Sequence, residues 1–149
     1  MGSTMVVLKQ ITRENYEAIL QLKVAKGQET YVSTVTHSLA QAWVYNESAY
    51  PFAIYEENEP IGFVMLGYYE MKQQYTLWKF LIDERYQNRG YGKEALRLAI
   101  SWLKDTFHVK EVYTGVAFGN VVAEHLYESM GFRRTGEADE TALEMKYIV

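Results

Sequence analysis

The tightest constraint on the fold lies between residues 82 and 107, where the pattern of apolar residues changes period across a glycine-bearing turn. A strand-like segment ends in Ile82-Asp83, Gln87-Asn88-Arg89-Gly90-Tyr91-Gly92-Lys93 follows, and from Gly90 to Phe107 the apolar residues Ala95, Leu96, Ala99, Ile100, Leu103 and Phe107 stand opposite Lys93, Arg97, Ser101 and Lys104. That stripe predicts a long amphipathic helix. A strand running through a glycine turn into a helix offers unpaired backbone N–H groups and the positive end of a helix dipole to an anion. Glycines let phosphates approach the backbone, and Arg89 and Lys93 add charge, so the stretch suits a pyrophosphate.

The elements on either side complete an α+β pattern. Met5 to Gln10 reads as a first strand. A helix is expected from Arg13 to Val24, capped by Thr12, with Tyr16, Ile19 and Leu22 on one face. The loop 27–37 precedes a second helix from Ser38 to Tyr45, with Ser38 as its cap and Leu39, Ala42 and Trp43 on one side. Phe52 to Glu56, Ile61 to Glu70 and Tyr75 to Asp83 read as an antiparallel meander, with Glu57-Asn58-Glu59-Pro60 as a turn and both Pro51 and Pro60 at strand edges or turns. After the long helix come a strand over Glu111 to Ala117, a helix over Asn120 to Met130, and strands around Phe132 to Thr135 and Leu143 to Ile148. The predicted order is β-α-α-β-β-β-α-β-α-β-β, with a mixed sheet.

A chain of 149 residues with 48% hydrophobic and 23% charged residues predicts one domain with one core. The domain is expected over residues 5–149, with 1–4 a disordered or cloning-derived leader. With no cysteine, neither a disulfide nor a thiol nucleophile is expected. His37, His108 and His125 stand far apart without carboxylates at ligand spacing, so no metal is expected, and His125 reads as a helix-surface residue. The formal charge of −4 and the lack of a basic stripe argue against nucleic acid. A polar start and short apolar runs argue against a signal peptide or membrane span, so the expected location is cytoplasmic. The Gly90-to-Ala95 stretch formally fits a dinucleotide pattern, but only one strand-helix repeat follows it, and Gly92-Lys93-Glu94 lacks the hydroxyl residue of an ATP-binding loop.

Two motifs resemble the GNAT acetyltransferase superfamily. Gln87-Asn88-Arg89-Gly90-Tyr91-Gly92 matches that family's strand-to-helix signature of Gln or Arg, two residues, Gly, one residue, and Gly or Ala. Asn120 followed seven residues later by Tyr127, ahead of Gly131-Phe132, matches a second signature in the right order. The resemblance implies a GNAT fold with about seven strands in a mostly antiparallel sheet and about four helices, and acetyl-CoA as co-substrate. It implies that Gln87, Asn88, Arg89, Gly90, Tyr91, Gly92 and Lys93 form the pyrophosphate loop, that Phe80, Leu81 and Ile82 pair with the pantetheine arm, and that Asn120 contacts the cofactor. It also implies that Tyr127 sits near the sulfur. Coenzyme A leaves as a thiolate, and a phenol of pKa about 10 can give it a proton, so Tyr127 is the expected general acid. The alternative is a Tyr packed on the sheet.

The amine is less constrained. Tyr31-Val32, Pro51-Phe52-Ala53-Ile54-Tyr55, Ile82-Asp83-Glu84-Arg85-Tyr86-Gln87 and Tyr127-Glu128-Ser129 are similar to the diamine and spermidine N-acetyltransferase group. A polyamine needs carboxylates for its ammonium groups and aromatic faces for its methylenes; Glu29, Tyr31, Glu70 and Trp78 are the candidate substrate residues, with Trp43 and Tyr69 as further aromatics. Trp78 stands where several polyamine-directed members carry a carboxylate, and it cannot accept a proton. The base is then a bound water or Glu70. Another amine, such as a peptide N-terminus, an amino sugar or an amino acid, and a non-catalytic acetyl-CoA sensor remain alternatives. A homodimer is compatible with aromatics in the early helices.

Overall fold

The computed structural model describes residues 6–149, so the expected start at Met5 and the leader lie outside the described residues. The strands are β1 (Val6–Lys9), β2 (Ala49–Glu56), β3 (Glu59–Tyr69), β4 (Gln74–Ile82), β5 (Glu111–Ala117), β6 (Arg133–Ala138) and β7 (Ala142–Ile148). The helices are α1 (Tyr16–Leu20), α2 (Val35–Val44), α3 (Tyr91–Phe107) and α4 (Val121–Met130), with a single 3-10 turn at Glu84–Tyr86. The sheet order is β1-β2-β3-β4-β5-β7-β6, and β4–β5 is its parallel pair. The element order and the mixed, mostly antiparallel sheet are those expected.

Alternation along the strands gives the sheet two faces. On one, Ile54, Val64, Leu66, Leu77, Val112, Val116 and Met145 pack with Leu96, Leu103 and Tyr127 of α3 and α4. On the other, Ala53, Tyr55, Phe63, Met65 and Leu81 meet Ile19, Leu22 and Val35 from the α1–α2 region. These small helices cover the β2–β4 half. The same face of β5 and β7 carries Glu111, Tyr113 and Glu144 instead of a second apolar layer. Two packed clusters, rather than the one expected core, therefore flank the sheet.

Local predictions failed where side chains or distant backbone took over a helix's hydrogen bonds. The helix expected over 13–24 keeps only Tyr16–Leu20. Asn15 Oδ1 accepts from the Thr12 N–H at 2.8 Å, so Thr12 closes a turn instead of capping. Farther on, the Lys23 N–H donates to Asp83 Oδ2 at 3.1 Å and its carbonyl accepts from Glu84 N–H, which removes both groups from a helical ladder. Tyr16 is exposed while Ile19 and Leu22 are buried. The second helix starts earlier than expected. Thr34 is the cap, accepting from His37 N–H at 3.1 Å, and Ser38 is buried inside the helix with its hydroxyl donating to the Thr34 carbonyl. Trp43 is 78% exposed and does not share the face of Leu39 and Ala42.

The β2–β3 turn narrows to Glu57-Asn58, with Glu57 at φ 56°. Both prolines lie within strands, and β1 pairing ends opposite Ala53. Pro51 therefore falls on the stretch of β2 that has one partner strand, where a missing N–H is tolerated.

Candidate active site

The site is built on a seam in the sheet. β4 pairs with β5 only at Thr76↔Tyr113 and Leu77↔Thr114. Beyond those pairs the facing edges of Trp78–Ile82 and Gly115–Ala117 have no ladder, leaving backbone N–H and C=O groups for a ligand. The seam starts at a bulge: Met65 pairs with Lys79 and Leu66 with Leu77, so Trp78 is the extra residue of β4. A slot of about 340 Å³ follows this seam, lined by Tyr31, Lys79, Phe80, Leu81, Asn120 and Tyr127 among others.

At the end of β4, the chain turns into α3 through residues whose geometry explains their identity. The Gln87 side chain donates to the Ile82 carbonyl at 2.9 Å and to Gln28 Oε1 at 3.1 Å, which ties the loop to the strand and to the segment after α1. Asn88 adopts φ 64° and Gly90 φ 83°, both left-handed. Gly90 is the N-cap without a capping side chain, so the first amides of α3 lack intrahelical acceptors. Gly92 serves packing as well, since a Cβ there would stand 3.3 Å from Phe80 Cζ. Arg89 lies over the Tyr86 ring at 5.9 Å, and Lys93 is half-buried in the first turn of α3. Gln87 to Lys93 line neither this slot nor the larger cavity that adjoins it. The uncapped N-terminus of the seventeen-residue α3 adjoins the slot where Gly92 packs on its wall residue Phe80, and a helix start of this kind suits an anionic group such as a pyrophosphate.

Asn120 Oδ1 caps α4 through the Ala123 N–H at 3.3 Å. Tyr127, 6% exposed, points from the same helix into the slot. Burial pushes its phenol above the ordinary value, and a hydrogen bond with Thr114 offsets part of that rise. Thr114 donates in turn to the Leu77 carbonyl at 3.1 Å, at the last ladder pair before the seam opens. Lys79, also in the slot, donates to Ser33 Oγ at 2.8 Å, and burial lowers its ammonium pKa.

A second cavity, of about 520 Å³, adjoins the slot through the shared residues Trp78, Thr114, Gly115 and Ala142. Its walls carry three carboxylates, Glu137, Asp139 and Glu144, with Lys72 and the aromatics Tyr45, Tyr68, Tyr69, Trp78 and Tyr113. Tyr113 donates to Glu111 Oε2 at 2.7 Å, and that bond raises its phenol to about 12.

The expected site residues divide accordingly. Phe80, Leu81, Asn120, Tyr127, Tyr31 and Trp78 line the slot, Trp78 at its junction with the cavity. Ile82 is buried in the core instead. Glu70 lies exposed in the β3–β4 turn and Glu29 is exposed with its carboxylate on the Gly27 N–H; neither lines the cavities. Trp43 lines neither cavity; Tyr69 lines the larger one. The cavity carboxylates escaped sequence reading, although the alternation Leu143-Glu144-Met145-Lys146-Tyr147 already separates Glu144 from the core side. Among the described residues no three His, Cys, Asp or Glu side chains gather at metal-ligand spacing, and no helix is long and apolar enough to cross a membrane.

The chain is similar to several known proteins. A spermine/spermidine N(1)-acetyltransferase of Bacillus subtilis (strain 168) is 34% identical over 140 residues, covering 89% of this chain and 90% of the relative. The spermidine N-acetyltransferase from Vibrio cholerae in complex with CoA and spermine superimposes with a TM-score of 0.77 at 18% identity, over 96% of this chain and 95% of that one. An aminoglycoside acetyltransferase in complex with coenzyme A gives 0.79 at 17% identity, over 97% of this chain and 95% of that one; these two likenesses speak to the fold alone. The model of the acetyltransferase (GNAT) family matches residues 10–132, which include the glycine turn, the seam and Tyr127. With the family pattern spanning residues 10–132 and a relative 34% identical along nearly the whole chain, the chain belongs to the GNAT family of acetyltransferases.

Proposed function

We propose that this acetyl-CoA-dependent acetyltransferase acts on the primary amine of a polyamine such as spermine or spermidine, by direct attack in a ternary complex. The observation that carries the choice of amine is the 34% identity, along nearly the whole chain, to the spermine/spermidine N(1)-acetyltransferase of Bacillus subtilis. The larger cavity supports it: three carboxylates and four tyrosines line it, a chemistry that accepts ammonium groups and methylene chains.

Acetyl-CoA supplies the acetyl group as a thioester. In this reading the first turn of α3, with Asn88, Arg89 and Lys93, receives the pyrophosphate, and the open edge of β4 at Phe80 and Leu81 receives the pantetheine arm. Gln87 acts by holding the loop to Ile82, and Asn120 by fixing the start of α4. The neutral amine nitrogen attacks the carbonyl carbon, the C–N bond forms as the C–S bond breaks, and Tyr127 gives its phenolic proton to the departing sulfur. Burial keeps that phenol protonated at neutral pH, as a general acid requires. Water in the acceptor cavity takes the amine's proton, because Trp78 has no acceptor for it and Glu70 lies outside the cavity wall.

Thiol release from acetyl-CoA tests the reading, with spermine, spermidine, putrescine, lysine, an aminoglycoside and a short peptide as acceptors and Tyr127→Phe alongside the wild type. Turnover on polyamines that collapses in the variant is the expected result. Turnover on another amine class alone would reassign the acceptor, and tight acetyl-CoA binding without turnover would favour a sensor.

A further inference from the structure

Lys72 reaches from the β3–β4 turn into the acceptor cavity, where its Nζ stands 3.6 Å from Glu144 Oε2 on β7. The pair joins the two halves of the sheet across the seam. The Lys72 side chain is 48% exposed, whereas that of Glu144 is 18% exposed. Glu144 is oriented by something else: its Oε1 accepts the Thr135 hydroxyl at 2.8 Å. Its second oxygen is thus held out to a cation at a distance well beyond a charge-assisted hydrogen bond of about 2.7–2.9 Å.

Two further observations set Lys72 in an ammonium-binding environment. The Asp139 carboxyl is held below the usual range by the backbone N–H groups of Thr141 and Ala142, and the Lys72 charge adds to the effect. Asp139 is therefore ionised beside it at neutral pH. The wall also includes Gln41, whose carbonyl oxygen is buried and accepts no hydrogen bond. Three carboxylates face one ammonium in this cavity, and the chemical form of that ammonium is telling. A lysine side chain is an ammonium on a four-carbon stem, the same aminobutyl group that ends spermidine and putrescine.

We propose that Lys72 is an internal stand-in for the substrate's distal aminobutyl ammonium. It neutralises Glu144 in the free enzyme and is displaced by an amine with a second positive charge, so the Lys72–Glu144 pair sets the preference for polycationic over singly charged amines. This inference rests on the polyamine reading above. A singly charged amine needs only the reacting end of the cavity and leaves Lys72 in place. Lys72 and Glu144 act on substrate affinity and not on the acetyl transfer itself.

Steady-state kinetics on the full chain with spermidine and with n-butylamine, using wild type, Lys72→Met, Glu144→Gln and the double variant, tests the proposal. Methionine keeps an unbranched stem without the charge, and glutamine keeps the acceptor for Thr135. Lys72→Met is expected to lower the spermidine KM about three- to fivefold, the scale of a solvent-exposed ion pair, with kcat and the butylamine parameters unchanged. Glu144→Gln is expected to raise the spermidine KM by about the same factor or more, and in that background Lys72→Met should have no further effect. A spermidine KM that moves less than about 1.5-fold in Lys72→Met, or moves equally with Glu144 replaced, overturns the proposal. If the wild type turns over spermidine, that failure strikes this inference alone. If it turns over no polycationic amine, the polyamine reading falls and this inference with it.

Discussion

The slot along the β4–β5 seam, proposed for the cofactor, and the larger cavity, proposed for the acceptor, meet at Trp78 and Thr114 but are built in opposite ways. The slot and the loop beside it are mostly backbone features: an unladdered strand edge and, next to it, an uncapped helix start with two left-handed residues, Asn88 and Gly90. The cavity is side chains, brought by the end of α2, the β3–β4 turn, β5 and the β6–β7 hairpin. A backbone site depends on local geometry, which a short motif can encode; a side-chain site can be refurnished residue by residue without disturbing the sheet.

The largest test of the contrast is in the slot, next to the junction residue Thr114. Tyr127→Phe is expected to lower kcat by about 100-fold or more while the affinity for acetyl-CoA stays within about twofold. Rapid turnover by the variant would remove Tyr127 from the proposed chemistry. On the slot side, Gly92→Val should cost about 1–3 kcal/mol of stability, because its side chain must enter the space beside Phe80 and Ile82. Thermal melts would read this as a drop of several degrees. Acetyl-CoA binding should weaken with it and the spermidine KM should not.

Asp83 anchors the strand end that feeds the slot. Burial alone would raise its carboxyl, but hydrogen bonds from the Arg85 side chain and backbone and from the Lys23 N–H hold it below the ordinary value. A folded pKa below the unfolded value of about 3.9 means stability that is present above that pH and lost as pH falls through the folded value. Asp83→Ala is therefore expected to cost about 1–3 kcal/mol at neutral pH. The gap to wild type should narrow below about pH 4, measurable by denaturant melts across pH. Smaller still, Asn120→Ala should cost about 1 kcal/mol through the lost cap, seen in the same melts. Smallest, Glu137→Gln should raise the spermidine KM about two- to threefold, the scale of one rim charge, with acetyl-CoA parameters unchanged; an equal change in both would erase the distinction between the two regions.

The order of elements, the strand over Glu111–Ala117, the long α3 and the glycine turn were legible because each rests on local periodicity or on a backbone conformation few residues adopt. The short α1 and the early start of α2 were not. Their ends are decided by Asp83, sixty residues away, and by Thr34 outcompeting Ser38 as a cap. Of the larger cavity, Trp78 and Tyr69 stood out as aromatics in suggestive places, whereas Lys72, Glu137, Asp139 and Glu144 were indistinguishable from ordinary surface charge until the strands were paired.

By itself, then, the sequence determined the α+β order, the family and the glycine turn into α3, since these depend on the spacing of near neighbours. The tertiary structure alone decided that β4 and β5 part after Leu77, that Trp78 is a bulge, and that Lys72 meets Glu144 across the seam. Contacts between residues far apart in the chain are fixed by sheet register and packing, which no local pattern records.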